Sequence, residues 1–159
     1  GDESTTDSIR ANVDNEFAAR AAGGFRFRTN ATLTTGCNLP AGSGVFSCAS
    51  SRTLKDHFAP ADGEDVLARM RGVPVNFWSY TAEGAQVRHL GPFAEDFRAA
   101  FGLGVDDRSI GLLDIDGVNF AAARALEART AAQAQRIESL EKQVAEVRAL
   151  VQTLAARQP

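Results

Sequence analysis

The hydrophobic and polar positions in the N-terminal third of the chain alternate over short distances, as in β-strands. Residues 25–28 alternate phenylalanine with arginine, and residues 31–35 are rich in threonine, so both segments are predicted to be strands. Glycine pairs and Pro40 interrupt the pattern. Between about residue 16 and residue 48 there are too few apolar residues for a separate core. This stretch is therefore expected to end a longer segment or to pair with other chains.

The middle of the chain combines helical and strand-like patterns. Apolar residues on one face predict a helix over residues 62–71. A second helix is predicted to start near Pro92, to carry phenylalanines at helical spacing and to end at Gly102. Its phenylalanines and Trp78 are expected to lie in the core. Further strands are predicted at residues 73–80 and 86–90, which would form a hairpin, and at residues 110–115, followed by a turn at Asp116 and Gly117.

The last stretch, from about residue 118 to residue 156, has a heptad repeat. It predicts a helix about 57 Å long at 1.5 Å per residue, with Arg136 and Glu141 placed for an interchain ion pair. β-Branched residues at a with leucine at d favour dimers, whereas apolar residues at e and g favour trimers, so the seam alone leaves both open. The predicted seam consists of Thr130, Ile137, Val144 and Val151 at a, and of Leu126, Gln133, Leu140, Val147 and Leu154 at d.

Composition and charge exclude several classes of function. The net charge of −3 over 159 residues gives no support for nucleic-acid or acidic-lipid binding, and no apolar run approaches the roughly 20 residues that span a bilayer. We therefore expect neither a nucleic-acid nor a membrane partner. The N-terminus has no signal-peptide pattern and is expected to start a fragment. Cys37 and Cys48 can close a disulfide loop, but we expect them to be free or opportunistically paired.

Ser50 and Lys55 lie at the junction between the β-like stretch and the mixed segment. A neutral lysine can take the proton of a serine hydroxyl, and burial favours neutrality by lowering the amine pKa from about 10.4 toward about 7 to 8. The hydroxyl could then attack the carbonyl of Ala49 and cut the chain at Ala49-Ser50, through an ester that water hydrolyses. Positions five apart differ by about 140° on a helix, so the pair requires a turn or loop. The spacing is common, and by itself it favours a polar loop without chemistry.

Several motifs occur in the order in which a known family carries them. Ser50 and Lys55 match the serine and lysine of a Ser-Asp-x-x-x-Lys cleavage motif, although Ser51 stands where the family has aspartate. Residues 89–97, His-Leu-Gly-Pro-Phe-Ala-Glu-Asp-Phe, are similar to the family's His-Ile-Gly-Pro-Met-Ala-Gln-Asp-Phe run. From Ser50 to its C-terminus, the chain resembles the C-terminal intramolecular chaperone domain of phage endosialidase tailspikes and related tail fibres. The motif that precedes the heptad helix completes the series with Asp114, Asp116 and Gly117.

The resemblance implies an α+β homotrimer that assists the folding of its own N-terminal stalk and then releases itself. Ser50 would be the nucleophile and Lys55 the general base of a single-turnover serine endopeptidase. Residues 1–49 would end the β-rich stalk, residues 50–117 would form the chaperone and self-cleaving unit, and residues 118–159 the trimeric coiled coil. The expected location is a tail fibre or spike of a phage virion, or a prophage-derived or bacterial surface fibre. The rivals are a structural trimerisation tip that does not cut and an adhesin tip that binds a receptor.

Other polar motifs favour structural roles. His57 and His89 are the only histidines and have no metal-ligand spacing, so we expect neither a metal ion nor a cofactor. Asp114 and Asp116 are similar to part of a calcium loop but lack its remaining ligands, so a turn and helix cap are expected there. Glu95 and Asp96 lie near a predicted helix start, where the helix dipole favours acidic residues.

Overall fold

Five strands, three α-helices and one short 3-10 helix occur in residues 8–157, which the computed structural model describes. Contacts divide the chain into two compact units, Gly1–Ala59 and Pro60–Pro159. The strands are β1 (Gly24–Arg28), β2 (Gly36–Pro40), β3 (Ser47–Cys48), β4 (Asn76–Trp78) and β5 (His89–Gly91). The helices are α1 (Gly63–Met70), α2 (Ala94–Phe101) and α3 (Leu112–Ala155), and the 3-10 helix is Arg52–Leu54.

The first unit contains an antiparallel sheet in the order β1-β2-β3. The alternating segment at residues 25–28 lies in β1, as predicted, and its Phe27 is opposite Cys37 of β2. Two phenylalanine rings, Phe27 and Phe46, contact each other with centroids 5.8 Å apart, yet their exposed fractions are 53% and 56%. Among the described residues of this unit none is buried, in agreement with the expected lack of a separate core.

The predicted strand at residues 31–35 is wrong, because this segment is the loop between β1 and β2. The side chain of Asn30 folds back and its Oδ1 accepts hydrogen bonds from the backbone N–H groups of Thr34 (3.1 Å) and Thr35 (3.0 Å). Leu33 has a φ of +58°, outside the β region. The hydrogen bonds to the Asn30 side chain compete with strand pairing for these backbone amides. The threonine content of the segment does not reveal this competition.

The expectation of free or opportunistically paired cysteines is corrected, since Cys37 and Cys48 form a disulfide. The register of the sheet is the physical reason, because it places Cys37 of β2 directly opposite Cys48 of β3. Their separation of 11 positions in the sequence does not indicate this register.

The core of the second unit lies between α1 and α3. Leu67 packs against Ala122 and Ala125, with Val66 and Met70 partly buried beside them. Asp62 caps α1 by accepting hydrogen bonds from the N–H groups of the first turn. The helix predicted at residues 62–71 is therefore confirmed, and alanines on α3 allow it to approach closely.

The predicted second helix and hairpin are also present in this unit. α2 ends at Gly102, whose φ of +66° is the left-handed conformation expected at a helix end. β4 and β5 pair antiparallel with Trp78 opposite His89, over shorter strands than predicted. Phe97 is buried, as expected of the phenylalanines, but Phe93 is exposed and Trp78 is only half-buried. The expected core is thus confirmed in part.

The strand predicted at residues 110–115 is wrong, because α3 already begins at Leu112. The N–H of Ile115 donates to the carbonyl of Gly111 at 3.1 Å, and Asp114 lies in the first turn, where the dipole favours an acid. Asp116 and Gly117 therefore lie inside the helix rather than in a turn. A short apolar run does not distinguish a strand from the first turn of a helix.

These elements make the fold α+β, with two small sheets and a long C-terminal helix. α3 has 44 residues and is about 66 Å long at 1.5 Å per residue, longer than the heptads predicted. Within the described residues, no helix combines the length and the apolar character needed to cross a membrane.

Candidate functional site

The upstream side of the Ala49-Ser50 junction is held by the end of the first sheet. Cys48 is the last residue of β3 and is linked to β2 through its disulfide with Cys37. The next residue, Ala49, donates its N–H to the carbonyl of Gly36 at 2.9 Å. Gly36 has a φ of +142°, and a Cβ at this position would lie 2.0 Å from the carbonyl oxygen of Phe27, so only glycine fits there. The junction therefore follows directly after a cross-linked strand end.

The downstream side is a 3-10 helix that begins after Ser51. The Ser51 Oγ accepts a hydrogen bond from the N–H of Thr53 at 3.3 Å and lies 2.9 Å from the Thr53 hydroxyl. Backbone bonds from Leu54 to Ser51 and from Lys55 to Arg52 close the turn. The turn reverses the chain and directs Lys55 back toward the junction. The segment is thus a turn, which the spacing of the two candidate residues required.

The structure brings Ser50 and Lys55 together. The Nζ of Lys55 donates to the Oγ of Ser50 at 2.7 Å, which is within the reach required of a base and a nucleophile. Ser50, Lys55 and Ala49 are all exposed to solvent in the single chain. The contact therefore provides the geometry for proton transfer, while the dry surroundings that favour a neutral amine are absent from the isolated chain.

Ser51 occupies the position at which the related cleavage motif carries aspartate. Its backbone is extended (φ −62°, ψ +143°) and its side chain caps the 3-10 helix. Aspartate and serine are equally good at such caps, because both present an oxygen to a free N–H group. The substitution therefore preserves the local structure that holds Lys55 beside Ser50.

The sequence did not indicate the roles of four residues of this site, Gly36, Cys37, Cys48 and Ser51. Gly36 and the two cysteines hold the strand end, and their roles depend on strand register. Ser51 was noted only as a departure from a motif, although a serine two residues before Thr53 is a sequence signal for a capped turn.

The two histidines lie in different settings. His57 is exposed and contacts the carboxylate of Asp56 at 2.7 Å. His89 of β5 stacks on Trp78 with centroids 4.5 Å apart and contacts Glu83 at 2.8 Å. No group of three potential metal ligands occurs among the described residues. These positions are consistent with structural roles.

An ion pair joins α1 to α3 in the second unit. The Nε of Arg129 donates to the Oε1 of Glu64 at 2.8 Å, and the Nη2 of Arg129 also contacts this carboxylate. The hydrogen bonds from Arg129 lower the pKa of Glu64, with smaller opposing effects from desolvation and from Asp62. The pair ties the start of α1 to the middle of α3.

The heptad positions lie on the surface of α3. Of the apolar members, Leu140 is 41% exposed and Leu154 is 63% exposed, so the stripe is uncovered in the single chain. Thr130 and Gln133 also lie on the surface, and the Thr130 hydroxyl donates to the carbonyl of Leu126 at 2.8 Å. The remaining exposed seam positions are Leu126, Ile137, Val144, Val147 and Val151.

Comparison with known proteins identifies one family. Searches of curated proteins and of solved structures find no match to this chain. The family model described as "chaperone of endosialidase" matches residues 50–105, about a third of the 159 residues. The match starts at Ser50 and ends before α3, so it includes the serine and lysine that the structure brings together. Residues 50–105 are thus similar to the family described as the chaperone of endosialidase, in agreement with the resemblance that the sequence motifs indicated.

Proposed function

We propose that the protein is a trimeric intramolecular chaperone that assists the folding of the β-rich segment at its N-terminus and then releases itself by cutting Ala49-Ser50. The single observation that carries the proposal is the 2.7 Å contact between Lys55 Nζ and Ser50 Oγ at the first residue of the family match. The match to this family supports a location on a phage tail fibre or spike, or on a related surface fibre.

The chemistry is an acyl shift followed by hydrolysis. Neutral Lys55 accepts the proton of the Ser50 hydroxyl while Oγ bonds to the carbonyl carbon of Ala49. The bond between this carbon and the Ser50 nitrogen breaks, and the nitrogen takes up a proton to become a free amino group. Water then hydrolyses the ester, leaving the carboxylate of Ala49 and the restored hydroxyl of Ser50. Because both groups belong to one chain, the step avoids the cost of a bimolecular encounter.

Association of several copies is supported by the uncovered stripe of α3, and their number in the proposal, three, comes from the family resemblance. A helix about 66 Å long with a heptad stripe gains stability by burying that stripe against other copies. The a and d residues are half or more exposed at most apolar positions. Three helices that align in parallel would also bring three copies of the junction to equivalent positions.

The client of the chaperone would be residues 1–49, the part of the first unit that precedes the proposed cleavage site. Its described residues include none that is buried, and aromatic side chains such as Phe27 and Phe46 are half-exposed. A sheet of this kind requires other copies to cover its apolar face. Cutting after assembly would leave these strands unable to re-register easily, which makes the stalk kinetically stable.

Mass spectrometry of freshly expressed protein tests the cleavage. We expect fragments that end at Ala49 and begin at Ser50, and we expect Ser50→Ala and Lys55→Met to leave the chain intact. The matched control is Lys142→Met, since Lys142 lies on the surface of α3 and pairs there with Glu138. Analytical ultracentrifugation should find trimers, and a monomer at micromolar concentration would contradict the proposal.

A structural trimerisation tip that does not cut is the second candidate. The exposure of Lys55 in the single chain favours it, because the site lacks the burial that general-base catalysis by a lysine requires. An intact mass for trimeric wild type and for both variants would select this candidate.

A further inference from the structure

The disulfide ends one residue before the proposed scissile bond. Cys37 and Cys48 lie opposite each other on β2 and β3, and Ala49 follows Cys48 directly. Both cysteines precede the bond, so the cross-link remains within the stalk fragment after cleavage. Its location suggests that it affects the carbonyl under attack rather than the released domain.

Apart from this disulfide, few contacts fix the position of Ala49. β3 has only two residues, both exposed, and pairs with β2 at two positions. The single hydrogen bond from the Ala49 N–H to the Gly36 carbonyl, at 2.9 Å, continues this ladder to the junction. Exposed strand ends with so little burial open easily. Without the disulfide, little in this unit would hold the Ala49 carbonyl in place.

The proposed reaction is sensitive to this placement. On the downstream side, the capped 3-10 helix holds the Ser50 Oγ beside Lys55 at 2.7 Å. On the upstream side, the carbonyl carbon of Ala49 must lie within attack distance of the same Oγ. Intramolecular reactions reach high effective concentrations only when the reacting atoms are held in such near-attack geometry. Because this carbon is bonded to the Ser50 nitrogen, its approach to the Oγ depends on rotation about the Ser50 N–Cα bond, and a loose strand end would leave that rotation unrestrained.

We propose that the Cys37–Cys48 disulfide is a positioning element for the self-cleavage, so that cutting at Ala49-Ser50 requires the oxidised form. The inference rests on the proposed function, because it concerns the rate of the same cleavage. Cys37 and Cys48 do not contact the reacting atoms; they act through the strand end that carries Ala49. Cleavage would then be slow in a reducing compartment and would proceed once a small-molecule disulfide such as oxidised glutathione has accepted two electrons and two protons from the Cys37 and Cys48 thiols.

Refolding with and without a dithiol tests the dependence. Denatured, uncleaved chains whose disulfide has been formed with oxidised glutathione are diluted into native buffer with or without dithiothreitol, and cut and uncut chains are followed by mass spectrometry. The two thiols of dithiothreitol transfer two electrons and two protons to the disulfide, giving two cysteine thiols and cyclic oxidised dithiothreitol. Cys37 and Cys48 are the only cysteines of the chain, so the reagent has no other target. We expect cleavage per trimer to be at least tenfold slower after reduction.

Variants separate positioning from assembly. The double variant Cys37→Ser, Cys48→Ser should cleave Ala49-Ser50 slowly in both buffers, and dithiothreitol should not change its cleavage rate. Ultracentrifugation should still find trimers. In the uncuttable Ser50→Ala chain, hydrogen exchange at the Ala49 amide should be slow when oxidised and fast when reduced. Equal cleavage rates in both buffers, or an Ala49 amide that exchanges equally in both, would overturn the inference and leave the proposed function intact. No cleavage in either buffer would overturn both.

Discussion

Gly63, the first residue of α1, allows this helix to contact α3 at close range. A Cβ built at Gly63 would lie 2.7 Å from the Cβ of Ala125, whereas non-bonded carbon atoms are optimally about 3.5–4.0 Å apart. The Ala125 methyl is fixed to the backbone of α3 and cannot rotate away. We therefore expect Gly63→Ala to push α1 outward by about 1 Å and to loosen the packing of Leu67 against Ala122.

The expected change in the free energy of unfolding follows from two opposing effects. Overpacking of this kind costs about 1–3 kcal/mol, while replacing glycine by alanine in a helix contributes at most about 0.5–1 kcal/mol in the other direction. The free energy of unfolding should therefore fall by about 1–2 kcal/mol. Gly117→Ala is the matched control, because Gly117 is also helical but has no atom within 4 Å of its Cβ position. That variant should be more stable than wild type by about 0.5–1 kcal/mol.

Denaturant unfolding at one fixed protein concentration measures these changes, because the stability of an oligomer depends on concentration. Ala125→Gly removes the methyl that Gly63→Ala would meet, so the two changes should be coupled in a double-mutant cycle by about 1–3 kcal/mol. Ala125→Gly should cost clearly less in the Gly63→Ala background than in wild type. Additive effects, or a Gly63→Ala chain at least as stable as wild type, would refute the close packing of α1 on α3.

Two further predictions concern the cap of the 3-10 helix and the ion pair of α1. The Ser51→Asp chain should cleave Ala49-Ser50 at the wild-type rate, and the Ser51→Ala chain about fivefold more slowly, since a lost cap costs about 1 kcal/mol. Gel time courses that show both variants equally slow would exclude capping as the role of Ser51. The pKa of Glu64 is lowered in the folded chain. Its pair with Arg129 therefore stabilises the fold at pH values above the ordinary glutamate pKa of about 4.3. This stabilisation is lost as the pH falls through the lower pKa of the folded chain. Thermal melts should therefore find Glu64→Gln less stable than wild type at pH 7 and equally stable at about pH 2, and a difference that persists at low pH would contradict the pairing.

Helices were the elements best predicted from the sequence. α1 and α2 combine an apolar face with recognisable ends, Asp62 at the start of one and Gly102 at the end of the other. The heptads predicted most of α3 but not its first turns, because Ile110 and Ile115 also fit a short strand. Tertiary packing and the acid in the first turn determine the true start.

The sheet of the first unit could be predicted only in part. The alternation in β1 is a local signal, but β2 contains Gly36 and Pro40 and shows no alternation. The pairing of Cys37 with Cys48 follows from the register between β2 and β3, which is not encoded in the spacing of two cysteines. For the same reason the position of the disulfide next to the junction becomes visible only in three dimensions.

The candidate site combines predictable residue types with geometry that is not predictable. The motif identified Ser50 and Lys55, but their 2.7 Å contact depends on the turn capped by Ser51. A sequence pattern indicates which side chains are present near a junction. It does not indicate whether a turn of the right length joins them.

The exposure of the candidate site and of the α3 stripe in the single chain bears on whether cleavage precedes or follows assembly. A lysine acts as a base for a serine only where burial favours the neutral amine, and Lys55 is exposed in the single chain. The apolar stripe of α3 is exposed as well, and association is what covers such a stripe. If assembly also removes water from the junction, the neutral amine becomes favoured only in the assembled protein. Under our proposal the chain would then be cut after its strands had found their partners, which is the order that a folding aid requires.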